Sequence, residues 1–415
     1  MREMKDSRIE WIGQIPSTWR INKGKYFISL LNKPARETDE IITCFRDGEV
    51  TLRSNRREDG FTVSLTETGY QGIDVGDLIV HGMDGFAGAI GISDSRGKAT
   101  PVLNVLNTTE CKKYIMYLMR SMAYCGLFLS LSTGIRVRTC DTNWKKLREI
   151  DYLLPDLLEQ QNIANFLDAK YAEIDDLTSD IQAQIDTLEQ YKRSVITEVV
   201  TKGLNPDAEM KDSGIQWIGM IPSHWDCIRG KYILKYIQKP VREDDGVITC
   251  FRDGEVTLRS NRREDGFTVA DKEIGYQGID VGDLVVHGMD GFAGAIGISD
   301  SRGKASPVLN VLNAKQNKRY IMYFLRSMAY SDVFLALATG IRVRSCDLRW
   351  NKLAELFYPV PPIEEQDAIV QHIDNVLRKV NEVIAQKKDQ LSVLEAYKKS
   401  LIFEYVTGKK EVPLA

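Results

Sequence analysis

Residues 42–63 read ITCFRDGEVTLRSNRREDGFTV, and residues 248–269 read the same without a single change. The offset of 206 positions holds well beyond this block: Trp11 matches Trp217, Trp19 matches Trp225, His81 matches His287, Trp144 matches Trp350 and Gln160 matches Gln366. No insertion or deletion breaks the register between about residues 6 and 201. Solenoid repeats have periods of about 20–50 residues, so each copy here is domain-sized, and the 415-residue chain is two tandem copies of one unit. The copies diverge unevenly. Residues 69–78, 80–99 and 101–107 are also identical to their counterparts, whereas 20–41 and 156–189 have drifted. Recombination leaves such a pattern as readily as selection does; either way, the two central portions carry nearly the same surface.

Outward from the block, the texture changes near residue 155. Before it, turns such as Asp47-Gly48, Asp59-Gly60 and Asp84-Gly85 separate short β-prone runs such as Glu49-Val50-Thr51-Leu52 and Asp77-Leu78-Ile79-Val80. This punctuation predicts a strand-rich globule, with an apolar helix over 114–131 packed on its sheet. Residues 157–201 then contain no Gly or Pro, and Ile163, Phe166, Leu167, Ile174, Leu177, Ile181, Ile185 and Leu188 recur at helical spacing. That pattern predicts a long helix with a coiled-coil seam. Residues 363–406 repeat it through Ile369, Ile373, Val376, Val380, Val383, Leu391 and Leu394. Gly203-Leu204-Asn205-Pro206 and Gly408 stop the two helices.

The expected fold class is α+β, a pseudo-two-fold tandem repeat in which two strand-rich globules alternate with two long helices. A first globule spans 1–155, a central helix 156–203, a second globule 204–361 and a C-terminal helix 362–408. The helices bury their seams most simply against each other, as an antiparallel coiled coil. In the alternative, each docks on its own globule as a linker.

Lys and Arg number 55 against 58 Asp and Glu, a formal net charge of −3. This excludes a wholesale polycation, so nucleic-acid binding requires basic groups concentrated locally. Seven cysteines without a C-x-x-C pair fit a reducing interior better than a disulfide scaffold. No apolar segment follows Met1-Arg2-Glu3, and no apolar run approaches the ~18 residues of a membrane span. The sequence reads as a soluble, cytoplasmic protein that does not engage a membrane.

Enzyme motifs are absent: there is no G-x-x-x-x-G-K-[ST], G-x-S-x-G or H-E-x-x-H, and no Asn- or Asp-Pro-Pro-aromatic tetrapeptide of an amino-methyltransferase. His81-Gly82-Met83-Asp84, with its twin from His287 to Asp290, pairs His with Asp beside flexible glycines. No second repeated His accompanies it, which weakens metal ligation and leaves a polar loop residue or a donor to a DNA edge. Cys44 and Cys140 repeat singly, as small buried residues do.

Arginine is what repeats with force. Arg46, Arg53, Asn55, Arg56 and Arg57 lie in the identical block, as do Arg252, Arg259, Asn261, Arg262 and Arg263. Arg96 and Lys98, then Thr133, Gly134, Arg136 and Arg138, follow in Gly-flanked stretches; Arg302, Lys304, Thr339, Gly340, Arg342 and Arg344 are their counterparts. Arginine bonds guanine O6 and N7 bidentately, Asn or Gln does so to adenine, and any cation can hold phosphate. Tyr70, Gln71 and His81, with Tyr276, Gln277 and His287, are secondary candidates. The block also holds Asp47, Glu49, Glu58 and Asp59, so a solvated, salt-bridged hairpin is the competing reading.

The layout resembles the specificity (S) subunit of type I DNA restriction-modification systems. Trp11-Ile12-Gly13-Gln14-Ile15-Pro16-Ser17-Thr18-Trp19 and Trp217-Ile218-Gly219-Met220-Ile221-Pro222-Ser223-His224-Trp225 are similar to that family's unit opening. Pro361-Pro362-Ile363-Glu364-Glu365-Gln366 resembles its P-P-x-x-E-Q junction, and Leu154-Pro155-Asp156-Leu157-Leu158-Glu159-Gln160 is a copy lacking the second Pro. Tyr191-Lys192-Arg193-Ser194 and Tyr397-Lys398-Lys399-Ser400 close the helices as family members do. The resemblance covers the whole chain. It implies two target recognition domains, each reading half of a bipartite double-stranded DNA site. It also implies helices that set the spacing and dock two modification (methyltransferase) subunits, with Gln160, Tyr191, Lys192, Gln366, Tyr397 and Lys398 as docking candidates. Such a subunit carries no catalytic centre, cofactor or metal of its own. S-adenosylmethionine, ATP and Mg are expected on the modification and restriction partners. Typical members carry two dissimilar recognition domains; near-identity here implies an interrupted palindrome. Two other classes stay open: a self-contained nuclease or methyltransferase built on His81 and Asp84, and a coiled-coil protein-interaction scaffold without DNA binding.

Overall fold

A computed structural model describes residues 2–56, 68–131, 142–262, 273–336 and 348–413. The chain forms two compact units, Met1–Ile181 with Asp389–Ala415, and Gln182–Lys388. Their boundaries fall within both long helices.

In the first unit, β1 (Met4–Asp6) and β2 (Gln14–Pro16) form a hairpin, and β3 (Arg20–Lys23) pairs with β12 (Asp151–Leu154) across the base of the globule. The main sheet is antiparallel, in the order β4 (Ile28–Leu30), β11 (Leu103–Thr108), β8 (Leu78–His81), β9 (Ile90–Ile92). Two small ladders accompany it, β5 (Ile42–Cys44) with β6 (Val50–Leu52), and β7 (Gln71–Ile73) with β10 (Gly97–Ala99). β8 reads Leu-Ile-Val-His without alternation because both of its faces are covered. Leu78, Val80, Ile90 and Leu106 pack with Tyr114, Ile115, Leu118 and Met119 of the helix Lys112–Tyr124. Ile79 and Val105 point the other way, into a core with Ile42, Cys44, Val50, Ile73 and Ala99. Burial pushes the Cys44 thiol up to about 12, so it packs as a small inert residue.

The helix expected over 114–131 is two helices, Lys112–Tyr124 and Leu127–Ser130, separated at Gly126 with φ +77°. A left-handed residue ends an α-helix, and glycine adopts that conformation at no steric cost.

The second unit runs through the same pairings 206 positions on. Leu284–His287 lies between Leu309–Ala314 and Ile296–Ile298, and Ile248–Cys250 pairs with Val256–Leu258. Its helix Lys318–Tyr330 ends at Asp332, φ +55°, where the first unit has glycine.

The long helices run Leu157–Lys202 and Ile363–Val406. Within the first unit, Ile163, Leu167 and Ile174 of the central helix share one core with Leu401, Ile402, Tyr405 and Val406 of the C-terminal helix. The Phe166 and Tyr405 rings are 4.5 Å apart, and the Tyr171 hydroxyl donates to the Lys398 carbonyl at 3.3 Å. Within the second unit, Ile196, Val199 and Val200 share a core with Ile369, Val370 and Ile373.

The opening and junction motifs meet physically. Trp19 is buried beneath the start of the central helix, and its indole N–H donates to Glu159 at 2.9 Å. Gln160 accepts from the Cys111 backbone N–H at 3.0 Å and donates to Glu110 at 2.7 Å and to the Pro155 carbonyl at 3.0 Å. Trp225, Glu365 and Gln366 repeat the arrangement. Gln160 and Gln366 are fully buried, which corrects their expected docking role. They have no surface to offer a partner, and they tie each globule to its helix.

Candidate nucleic-acid interface

The hairpin β5–β6 carries Arg46, Arg53, Asn55 and Arg56 to the edge where β8 ends in His81. Gly48, with φ +90°, makes the tight turn, and a Cβ there would overlap the guanidinium of Arg120. Arg120 rises from the helix to bond the Ile90 carbonyl at 2.8 Å and the Gly48 carbonyl at 2.9 Å. It therefore holds the hairpin turn against the sheet. Sequence reasoning passed over this residue, although an arginine amid the apolar run Tyr114-Ile115-Met116-Tyr117-Leu118-Met119 was a signal of internal pairing.

In the second unit, Thr249, Phe251, Arg252, Asp253, Arg262, His287 and Asp290 line a cleft of about 480 Å³. Arg252 bonds Asp290 at 2.8 Å; Arg262 bonds Asp253 at 2.6 Å and approaches Glu255 at 3.3 Å. The Arg262 guanidinium also lies 4.3 Å from the centre of the Phe251 ring, within range of a cation–π contact. The first unit holds the same geometry: Arg46 to Asp84 at 2.8 Å, Arg56 to Asp47 at 2.6 Å and to Glu49 at 3.3 Å, and Arg56 4.3 Å from Phe45. Burial would raise the Asp253 carboxyl, yet the hydrogen bond from Arg262 carries it below the usual carboxylate range.

His81 is the first unit's counterpart of the His287 that lines this cleft. Its Nδ1 accepts from the backbone N–H groups of Met83 at 3.2 Å and Asp84 at 3.0 Å. The neutral ring therefore carries its proton on Nε2, as a donor. Burial, and then the Arg46 charge, hold its pKa below the usual histidine value against the opposing pull of Asp84. His287 repeats both the bonds and the shift. As pH falls below about 6.5, the unfolded chain takes up protons before the folded one does. Stability is therefore full above that value and declines as pH falls through it. Replacing both residues, His81→Asn with His287→Asn, should flatten the pH dependence of Tm between about pH 5 and 7. An unaltered Tm–pH profile would contradict this assignment.

Other candidates lie elsewhere. Arg96 gives its guanidinium to Asp39 at 2.8 Å, to Asp74 and to the Pro34 carbonyl, and these carboxylates raise its pKa. Arg302 does the same with Asp245, Asp280 and Pro240. Both arginines pin a surface loop to the sheet. Gln71 donates to the Leu103 carbonyl and Gln277 to that of Leu309, each at 2.7 Å. Arg53 and Asn55 bond Thr43 and Thr51 at the hairpin; Arg259 and Asn261 bond Thr249 and Thr257. Tyr70 is half-buried and near enough to Arg53 to act on its charge; Tyr276 is half-buried as well. Lys98 lies on β10, and Lys304 pairs with Glu273 at 2.6 Å. Arg57, Thr133, Gly134, Arg136, Arg138, Arg263, Thr339, Gly340, Arg342 and Arg344 fall outside the described residues. Arg262 lines the cleft of the second unit, and in the first unit Thr142 donates from its hydroxyl to the His81 carbonyl at 2.9 Å.

On the helices, Tyr191 and Tyr397 are half-exposed. Lys192 pairs with Glu189 at 2.9 Å, and Lys398 is engaged by Asp175 and the Tyr171 ring. Among the described residues, no group of three or more His, Cys, Asp or Glu side chains could hold a metal ion. No helix among them is long and apolar enough to cross a membrane.

No family model matches the chain. Two curated proteins of Methanocaldococcus jannaschii match it over nearly its full length. One, described as a type I restriction enzyme MjaX specificity subunit, is 21% identical and is aligned over 97% of this chain and 96% of its own. The other, the type I restriction enzyme MjaVIII specificity subunit, is 24% identical, over 96% and 94%. The relatives of this chain are type I specificity subunits. A solved chain from work on complex assembly and conformational transition of a type I R-M system superposes with a TM-score of 0.67 at 12% identity. It covers 95% of this chain and 99% of that one, so the overall fold is shared with a type I system.

Proposed function

We propose that this chain is the sequence-specificity subunit of a type I restriction-modification complex, acting in host defence without catalytic activity of its own. Each globule reads one half of a bipartite double-stranded DNA target through its arginine–histidine cleft. The long helices pair as an antiparallel coiled coil that fixes the spacing. Two methyltransferase subunits dock on them, with Tyr191, Lys192, Tyr397 and Lys398 contributing, and restriction subunits complete the assembly. S-adenosylmethionine, ATP and Mg belong to those partners.

The observation that carries this reading is the cleft itself. Arg46, Arg56, His81 and Phe45 converge in one globule as Arg252, Arg262, His287 and Phe251 do in the other. An arginine fork and a fixed imidazole donor suit base-edge recognition. Full-length likeness to specificity subunits supports the same role, and the Phe166–Tyr405 and Tyr171–Lys398 contacts support antiparallel helix pairing. Because the clefts match, the target should be an interrupted palindrome, protein symmetry being mirrored in the DNA.

A methylome tests it. The chain is co-expressed with its modification subunit in a methylation-free host, and N6-methyladenine is mapped by single-molecule sequencing. The expected motif is one short sequence inverted across a non-specific spacer, with one methyl group per half. An asymmetric motif would refute the symmetry; no methylation by a soluble, associated complex would favour a protein-interaction scaffold.

A further inference from the structure

We propose that the carboxylates gripping Arg46 and Arg56 determine what the cleft accepts. They exclude backbone phosphate and select a G·C base pair presented in the major groove, with arginine on the guanine edge and a carboxylate on the cytosine amino group. This deepens the DNA-reading role proposed above and rests on it.

Both guanidiniums of each cleft are already engaged by carboxylates: Arg46 by Asp84, and Arg56 by Asp47 and Glu49, as Arg252 is by Asp290 and Arg262 by Asp253 and Glu255. The histidine adds no charge, being held neutral by its buried ring and by two N–H donors on Nδ1. A phosphate entering here finds no unpaired guanidinium among these arginines and has to strip a carboxylate from one of them while lying beside that carboxylate's like charge. Guanine meets no such barrier. It is uncharged and offers two adjacent acceptors, O6 and N7, to one guanidinium fork. Exposed ion pairs of this kind are weak, so Arg46, whose side chain is 65% exposed, can share its N–H groups with a base edge. Each carboxylate still has lone pairs to accept from cytosine N4. An A·T pair fits worse, because no single base presents the paired acceptors and thymine brings a methyl group toward a charged oxygen. The Phe45 face beneath Arg56 fixes the plane of that fork.

The test uses the full chain purified with its modification subunit. In the variant, Asp47→Asn and Glu49→Gln are combined with Asp253→Asn and Glu255→Gln, which preserve shape and hydrogen bonding while removing charge. Binding to the methylated-motif duplex and to an unrelated duplex is measured across a salt titration. The variant should bind unrelated DNA about ten-fold more tightly, with the log–log salt slope steeper by about one for each arginine that becomes free to hold a phosphate. Its preference for the target should shrink accordingly. An unchanged slope and an unchanged preference would overturn the proposal. A second measurement needs no substitution. With unmodified protein, replacing the motif's guanines by 7-deazaguanine removes N7 and should weaken binding about ten-fold or more; undiminished binding would also overturn it. If the unmodified complex binds no DNA at all, the DNA-reading role itself falls; binding with an unaltered preference defeats only the selectivity argued here.

Discussion

Replacing Arg56 and Arg262 together by alanine is expected to weaken target binding by about 2–6 kcal/mol, because a base-reading arginine contributes about 1–3 kcal/mol and each half-site loses one. On the DNA-reading role proposed above, either single replacement should cost about half as much. The fold should hardly notice. Arg56 pairs with Asp47 and Glu49 at the surface, and a surface substitution of this kind usually changes stability by less than about 0.5 kcal/mol. Fluorescence anisotropy of labelled duplex against the purified complex separates binding from stability, which thermal melting reads independently. A change in binding below about 0.5 kcal/mol would assign Arg56 to a solvated hairpin and remove it from the interface.

Removing residues 389–415 is expected to unfold the first unit and leave the second folded. The deletion takes Leu401, Ile402, Tyr405 and Val406 out of the core they share with Tyr114, Leu153 and Ile163. It also removes Lys409, whose ammonium bonds the Ile12 and Gln14 carbonyls at 2.8 and 2.7 Å. Four buried side chains at about 1.5–3 kcal/mol each amount to about 6–12 kcal/mol. That rivals the whole stability of a domain, about 5–15 kcal/mol. The second unit, Gln182–Lys388, loses none of its own residues. Limited proteolysis should therefore cut the truncated chain throughout residues 1–181 while sparing the rest. Equal resistance in both parts would refute this division of the core.

Much of this was legible in the residues. The 206-residue offset anticipated two globules with matching pairings, and the Gly- and Pro-free runs anticipated both long helices, whose apolar periodicity is local information. Arg46, Arg56 and His81 could be singled out as candidates because they are polar residues repeated in a turn-rich block. That they converge while Arg96 turns away to Asp39 and Asp74 could not be read. Long-range pairing decides it, and a guanidinium in a sequence looks the same whether it clamps a loop or faces solvent. Phe45 was passed over for the same reason, since stacking under Arg56 is a tertiary fact. Gln160 and Gln366 belonged to a recognisable motif, and only burial shows that the motif is a joint.

The first unit is assembled from both ends of the chain, and this has a consequence for synthesis. Residues 182–388 form a continuous stretch that can complete itself as it leaves the ribosome. The first globule emerges earlier, yet the helix end carrying Leu401, Ile402 and Val406 is made only after residues 182–388. At about 5–20 residues per second, the intervening ~220 residues take about 10–45 s. Throughout that interval the nascent globule keeps an uncovered apolar face, the kind of surface that makes unfinished domains prone to aggregate. A chain that stops before residue 389 therefore never completes its first unit, although the second can still fold.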